Sequence, residues 1–460
     1  MTTLMGAMEI SGAVLRPGDA EYDQARLAWN RAVTHAPALI VLAQNADDVS
    51  AAVRFAAQEG LSVAVQSTGH GTVRPADENA VLIVTSALKG VRVDAERRTA
   101  WIGAGNLWGE VVPHTAPLGL TPLFGSSPGV GVVGYTLGGG MGWFGRKYGL
   151  AVDTVISLDV VTADGEQRKV SADENADLFW ALRGGGGAFA VVTGIEVALF
   201  PSNGVLGGNL LYPAAMAGDV MRFYREWITR LPDEFTTSIV LMNFPPFPFI
   251  PEPVRGKSFV MVRGAYAGDP AVGSADGMRY VQEWLDWRQP VANMFHPTPV
   301  TEMKTISNDP ENPTPGGSSG AWLRELSDEV IDTLIRRTFV SEGQPPLIFS
   351  EVRHAGGAIA RVPDDANAYS HRDEQFSLYM VGITPTPEIG ERLSAYLAQT
   401  KRELGSAQSG AVYLNFLERE ESRERVRDAY TPEKFARLVA TKAKYDPDNR
   451  FGYAFNIPVK

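Results

Sequence analysis

Residues 125–149 read GSSPGVGVVGYTLGGGMGWFGRKYG. Ten of them are glycine: Gly125, Gly129, Gly131, Gly134, Gly138, Gly139, Gly140, Gly142, Gly145 and Gly149. Glycine loses more backbone entropy on folding than any other residue, so this density has no stabilising value of its own. It allows positive φ and close approach of the backbone to a ligand. Converging N–H groups of that kind suit a phosphate or pyrophosphate. Gly129-Val-Gly131-Val-Val-Gly134 also matches the dinucleotide fingerprint, with Asp153 at about the spacing where that motif places an acid. The fingerprint must end a strand and open a helix. Here Tyr135-Thr-Leu and three more glycines follow, a run that predicts no helix. The stretch is therefore read as loops cradling a large nucleotide-like ligand, against the plainer alternative of a glycine-rich turn cluster.

The rest of the chain narrows the class. Its 460 residues suffice for two or three domains. With 44% hydrophobic and 21% charged residues the composition is that of an ordinary globular protein. A formal net charge of -11 without a basic run argues against nucleic acid and anionic membrane as partners. No segment is long and apolar enough for a membrane span, and the first residues lack the pattern of a signal peptide. A cytoplasmic location is the default. The absence of cysteine excludes disulfides, thiolate metal sites and cysteine nucleophiles. The six histidines show no ligand spacing, so no metal is expected.

Before the glycine stretch, periodicity predicts strands over 38–43, 61–66, 80–85, 91–94 and 99–103. A helix capped by Asp47 and stopped at Gly60 lies between the first two, making a βαβ unit, and another helix covers 107–116. After it come a hairpin over 155–170, a short helix over 177–182 and, beyond a second glycine run at 184–187, a strand over 190–199. From about 205 to 405 the pattern changes. Strands over 204–212, 236–242, 258–265, 347–354 and 376–383 alternate with helices over 214–230, 269–287 and 328–339, predicting an antiparallel sheet with helices on one face. Residues 307–320 (SNDPENPTPGGSSG) read as a mobile loop. Helices over 387–404, 418–430 and 432–444 complete the chain.

Several segments together resemble the berberine bridge enzyme-like branch of the vanillyl-alcohol oxidase (PCMH-type) flavoproteins, nearly end to end. They are LRPGDAEYDQARLAWN, AVQSTGHG, the glycine stretch running on to Asp153, ALRGGGGAFAVVT, and YLNF followed by KYDPDNRF. The resemblance implies an α+β fold of two domains. An FAD-binding domain spans 1–203, a substrate-binding domain with a helix-covered antiparallel sheet spans 204–405, and residues 406–460 return to the first. It implies FAD held covalently by His70 within the loop Gln66, Ser67, Thr68, Gly69 and Gly71. An imidazole is a competent nucleophile, and flanking glycines let a ring approach. The residues alone leave His70 open between that role and a plain turn histidine. Relatives often make a second bond through cysteine; Ser127 stands at that position, so one attachment is expected. Further cofactor contacts are implied for Val130, Gly131, Gly134, Tyr135, Gly138, Gly139, Gly142, Gly187, Val192, Tyr413 and Asn415. The small Val130 favours dioxygen as electron acceptor, and the Tyr135 hydroxyl could stabilise negative charge at the ring.

The resemblance further implies a hydride-transferring oxidase of a small organic alcohol, amine or phenolic secondary metabolite that forms hydrogen peroxide. A dehydrogenase with another acceptor, or a flavoprotein steering cyclisation, stays open, as does monomer versus homodimer. The family's base is the second tyrosine of Tyr-x-Asn-Tyr. Here the motif is Tyr413-Leu-Asn415-Phe416, and a further charged position of relatives is Leu378. Candidate replacements are Glu351 and Tyr379, then Arg353 and His354. Glu351 could act as a base if an apolar pocket raised its pKa. Residues 244–253 (FPPFPFIPEP) with Trp284 and Trp287 suggest an apolar or aromatic substrate.

Overall fold

The structure, a computed structural model, describes residues 9–268, 275–340 and 346–460. The first residues of the helix expected over 269–287, and the extreme N-terminus, fall outside these. Two larger sheets, with a two-stranded pairing of Leu120–Thr121 and Phe200–Pro201, form the N-terminal part. The first sets Ala13–Leu15, Leu39–Leu42, Ala80–Val84 and Ser62–Gln66 side by side. Ala80–Val84 lies between the two strands of the expected βαβ unit and runs parallel to both. The connecting helix Ala46–Gln58 is capped by Asn45, whose side chain accepts the Asp48 N–H, rather than by Asp47. Asp48 instead binds the N–H groups of Ser11, Gly12 and Gln44. The second sheet has the order Val91–Asp94, Thr99–Gly103, Val191–Ala198, Val155–Val161, Gln167–Ser171 and is antiparallel throughout.

The glycine stretch departs from expectation. Val132–Leu137 is a short helix with Gly134 inside it. No strand precedes it; an isolated bridge joins Gly131 to Leu107. Asp153, the acid of the apparent fingerprint, pairs with Arg372 at 2.6 Å and accepts from Asn367 at 2.8 Å. It is a structural carboxylate, so the dinucleotide reading fails for a different reason than the one expected.

The large sheet is antiparallel. Its main path runs Ala292–Asn293, Val205–Pro213, Ser258–Tyr266, Phe235–Asn243, Phe349–His354, Phe376–Ile383, Gly316–Leu323, and His296–Thr298 also pairs with Val205–Pro213. Residues 316–320, the end of the expected loop, open the strand Gly316–Leu323. Its glycines and serines carry no strand signal, and pairing with Phe376–Ile383 alone makes it a strand. Leu210, Val262, Ile239, Val352 and Leu378 occupy successive registers on one face. They pack against the helices Ala217–Trp227, Met278–Trp287, Asp328–Thr338 and Pro387–Leu404 in one buried cluster. Burying some thirty apolar side chains there, at about 1.5–3 kcal/mol each, fixes which face the sheet turns to the helices. Trp284 and Trp287 belong to this far face, where Trp287 stacks on Phe223 and Trp284 meets it edge-on, and so give no support for an aromatic substrate.

The tail returns to the N-terminal part. Helix Pro432–Tyr445 packs on Ala176–Gly185, Lys442 donates to Ala188 O, and Val63 N–H donates to Arg450 O. The helix expected over 418–430 breaks into Glu421–Glu424 and a short 3-10 turn, with Arg419 at φ 52°. No helix among the described residues is long and apolar enough to cross a membrane.

Candidate functional site

The loop after Ser62–Gln66 brings His70 against the glycine stretch. Gly69 has φ 78° and lies where a Cβ would fall 2.6 Å from Ala28, so only glycine fits. Thr68 O accepts the Trp29 N–H at 2.8 Å, and the Trp29 ring stacks on His70 with centroids 4.1 Å apart. His70 Nδ1 sits 3.0 Å from Thr68 Oγ1, while Nε2 is buried without a partner. Burial lowers its pKa to about 4, so the ring is neutral near pH 7. With Nδ1–H donated to Thr68, Nε2 carries a free lone pair. The nearest atoms to a Cβ at Gly129 are His70 Cε1 at 3.9 Å and Ser127 Oγ at 4.0 Å, and at Gly131 they are Ser67 Oγ at 3.4 Å and a Thr68 methyl at 3.5 Å.

The glycine stretch divides in two. Gly134 and Gly187 would place a Cβ in open space, as would Gly71. Gly138, Gly139 and Gly142 would not: a Cβ there meets Asn415 Oδ1 at 1.9 Å, Tyr369 at 2.7 Å and Phe124 O at 2.0 Å. At these three, protein fills the space that a side chain would need. Tyr135 is enclosed by Gly125, Gly140 and Gly142, and its hydroxyl is buried without a partner. Burial pushes that phenol well above its usual range. Val192 is core, paired with Val160.

Tyr413 anchors the second half. Its oxygen accepts from Gly140 N–H at 2.9 Å, Met141 N–H at 3.0 Å and Asn415 Nδ2 at 3.0 Å. Asn415 Nδ2 also donates to Tyr135 O. Both amide hydrogens are thereby used inside the protein, leaving Oδ1 alone for any other contact.

The sheet face away from the helices meets this wall. One row carries Asn209, Arg263, Ser238, Arg353, Ser377 and Trp322, and the next carries Met261, Val240, Glu351, Tyr379 and Gly320. Glu351 accepts from Ser238 Oγ at 2.7 Å and Arg353 Nε at 2.8 Å, with Arg263 Nη1 at 3.5 Å. Burial works to raise its pKa, but Arg353, Arg263 and Ser238 outweigh that and hold the carboxyl below its ordinary range. The raised-pKa base expected of Glu351 is therefore not what the structure builds. His354, the residue after Arg353, points to the helix side: its Nε2 lies 3.2 Å from Arg146 Nη1, and burial lowers its pKa to about 3. Leu378 is likewise buried on the helix side.

Phe416 fills the centre. Its ring stacks on Tyr379 at 3.9 Å, meets Tyr413 edge-on at 4.9 Å and lies 5.1 Å from the Arg353 guanidinium carbon. It fits because Gly320, opposite Tyr379, has no Cβ; one there would sit 2.7 Å from Phe416. Behind Tyr379 lies a residue that the sequence reading missed. Glu418 accepts the Ser318 N–H at 3.0 Å, and burial raises its carboxyl above the usual value. The Ser318 hydroxyl interacts with both Tyr379 and Glu418 but completes no well-formed hydrogen bond. Placing Glu418 in a charged helix hid it; only the break at Arg419 turns it inward.

Ser67 Oγ, His70 Nε2 and Tyr135 Oη are all buried and unpartnered. Each such group costs about 1–3 kcal/mol unless a ligand satisfies it. Together with the open glycines they fit a bound ring system with a phosphate chain.

Comparison with known proteins agrees. Residues 37–171 match the FAD binding domain family, and residues 412–458 match the berberine and berberine-like family. The chain is 27% identical to (R)-6-hydroxynicotine oxidase of Paenarthrobacter nicotinovorans, across 98% of this chain and 97% of the relative. It is also 27% identical to glucooligosaccharide oxidase of Sarocladium strictum, across 95% and 90%. Among solved structures, 6-hydroxy-D-nicotine oxidase from Arthrobacter nicotinovorans superposes over 100% of both chains, with a TM-score of 0.84 at 24% identity. Physcomitrella patens BBE-like 1 covers 98% of this chain and 97% of its own, at 0.82 and 22%. Fold and site thus define an FAD-linked oxidoreductase of α+β architecture. Within that class the chain carries an FAD binding domain and a berberine and berberine-like domain, and its relatives are FAD-linked oxidoreductases.

Proposed function

We propose that the protein is an oxidase whose FAD is held by a single covalent bond to His70 Nε2. The carrying observation is that Nε2 is buried, neutral and unpartnered, with the ring oriented by Thr68 and Trp29. Ser127, at the edge of the same space, offers a hydroxyl rather than a thiol, which supports one attachment. When bound, FAD supplies the acceptor for a hydride and passes the electron pair to dioxygen, releasing hydrogen peroxide. Gln66, Ser67 and the open half of the glycine stretch would hold it, and the small Val130 keeps a path for oxygen. The substrate is a small organic alcohol, amine or phenol.

Tyr379 takes the substrate proton in this reading. Its phenol is neutral, because burial raises its pKa. It accepts a proton by passing its own to the Ser318 hydroxyl, which, on rotating into hydrogen bonds with both neighbours, passes one to Glu418. Glu418 thus replaces in function the phenol absent at Phe416.

The test is to denature the protein in acid and run it on a gel. Yellow fluorescence should travel with the chain and be lost from His70→Ala. Flavin freed from the unaltered chain would sink the covalent reading. Substrate-dependent peroxide release, followed by an oxidase assay across alcohols and amines, tests the acceptor.

A further inference from the structure

Two guanidiniums share one carboxylate on the sheet face. Arg263 is filled: Nε donates to Asn209 Oδ1 at 3.0 Å, Nη1 reaches Glu351 and Nη2 reaches Ser307 O at 3.4 Å. Arg353 is not. Its Nε donates to Glu351 Oε2 at 2.8 Å, and its two terminal nitrogens make no hydrogen bond within the described residues. The other acid in its field, Asp309, forms no ion pair with it and accepts from Ser126 Oγ at 2.5 Å. The side chain is 24% exposed and lies against the Phe416 ring. Tyr379, Tyr413 and Tyr135 all feel its charge, so the guanidinium lies among the site's own side chains.

A guanidinium held by Nε presents its terminal N–H groups as a planar fork, the geometry that a carboxylate fills with two parallel bonds. The Glu351 bond and the Phe416 ring fix the plane of that fork. Those four charged N–H donors are not sealed inside protein, so they are open to a ligand that enters the site. We propose that Arg353 is a specificity residue whose fork binds a carboxylate on the substrate. The molecule oxidised is then a small organic acid bearing the alcohol or amine. This rests on the site being the one proposed above.

Benzoate and benzamide, equal in shape and differing in charge, are suitable probes. Their binding is followed by calorimetry and by the visible spectrum of the bound flavin, neither of which needs turnover. The unaltered protein should bind benzoate at least about tenfold more tightly than benzamide, the range of a charged hydrogen-bonded pair. Arg353→Met should abolish that preference while keeping its flavin. Arg353→Lys, which keeps the charge beside Glu351 but not the fork, should retain part of it. Equal binding of the two probes by the unaltered protein would overturn the proposal. So would a preference that survives in Arg353→Met, or loss of flavin from both variants, which would make Arg353 a cofactor ligand. A purified protein without flavin would defeat the flavin reading instead, while calorimetry with benzoate would still report on Arg353.

Discussion

The wall of the site formed by Gln66–Gly71 and Ser127–Gly134 contains no charged side chain. The wall formed by the sheet holds Arg263, Glu351 and Arg353 in direct contact. The first recognises through backbone, small side chains and one neutral imidazole. The second works through fixed charge. The difference follows from how each is built. Loop residues close in sequence can shape a cradle without long-range pairing. A charge network needs strands that meet only in the folded sheet, and it survives burial because each charge has a partner. A large cofactor met by every molecule of the protein suits the first wall, and a discriminated substrate suits the second.

The sharpest way to break this contrast is Glu351→Gln. It leaves the buried Arg263 and the partly buried Arg353 without their shared anion, and should cost about 3–5 kcal/mol of stability in thermal or denaturant unfolding. Because the folded pKa of Glu351 lies below its unfolded value, its contribution is present above the unfolded value. It is lost as pH falls through the folded one. The variant should therefore be less stable at neutral pH and lose less on acidification. A change under about 1 kcal/mol would mean that water already screens the network, and the sheet wall would not be a charged interior.

Next in size is Glu418→Gln. The ionised carboxylate is the form that accepts the relayed proton, and burial raises its pKa. Activity of the unaltered enzyme should fall as pH drops through that value. The variant should lose this acid limb and run about 100-fold slower at its plateau. Ser318→Ala should fall between the two, and Tyr379→Phe should match or exceed the loss. An acid limb unchanged in Glu418→Gln would move proton transfer to another group, with the buried phenols of Tyr135 and Tyr413 next in line.

The same division explains what was legible in the sequence. The glycine run is a local signal that announces close approach of some group wherever it folds, whereas the residues alone left His70 open and only the resemblance gave it a cofactor role. The order of most strands and the helix-covered sheet also followed from periodicity. The sheet wall was half-hidden. Arg353 and Tyr379 lie on strands that periodicity found, but their neighbours depend on register. Gly316–Leu323 looks like a linker until it pairs, and without it neither Gly320 opposite Tyr379 nor the slot for Phe416 can be seen. Glu418 was lost in a charged run that reads as a solvated helix. Trp284 and Trp287 misled in the opposite sense, since aromatic content says nothing about which face of a sheet it covers.

The smallest effects divide the glycine stretch itself. Gly138→Ala places a Cβ against Asn415 Oδ1, and Asn415 cannot retreat without losing its bonds to Tyr135 O and Tyr413 Oη. The expected cost is about 1–3 kcal/mol, from overpacking, and it should appear with or without flavin. Gly134→Ala meets nothing within 4 Å and sits inside the helix Val132–Leu137. Alanine there should stabilise the flavin-free protein by up to about 1 kcal/mol. If that open side faces the cofactor, the same methyl group should slow or weaken flavin incorporation, so stability and cofactor content change in opposite directions. Two variants that lose stability alike and load flavin alike would show that the ten glycines serve one structural purpose. The cofactor wall would then end at His70 and Gly131.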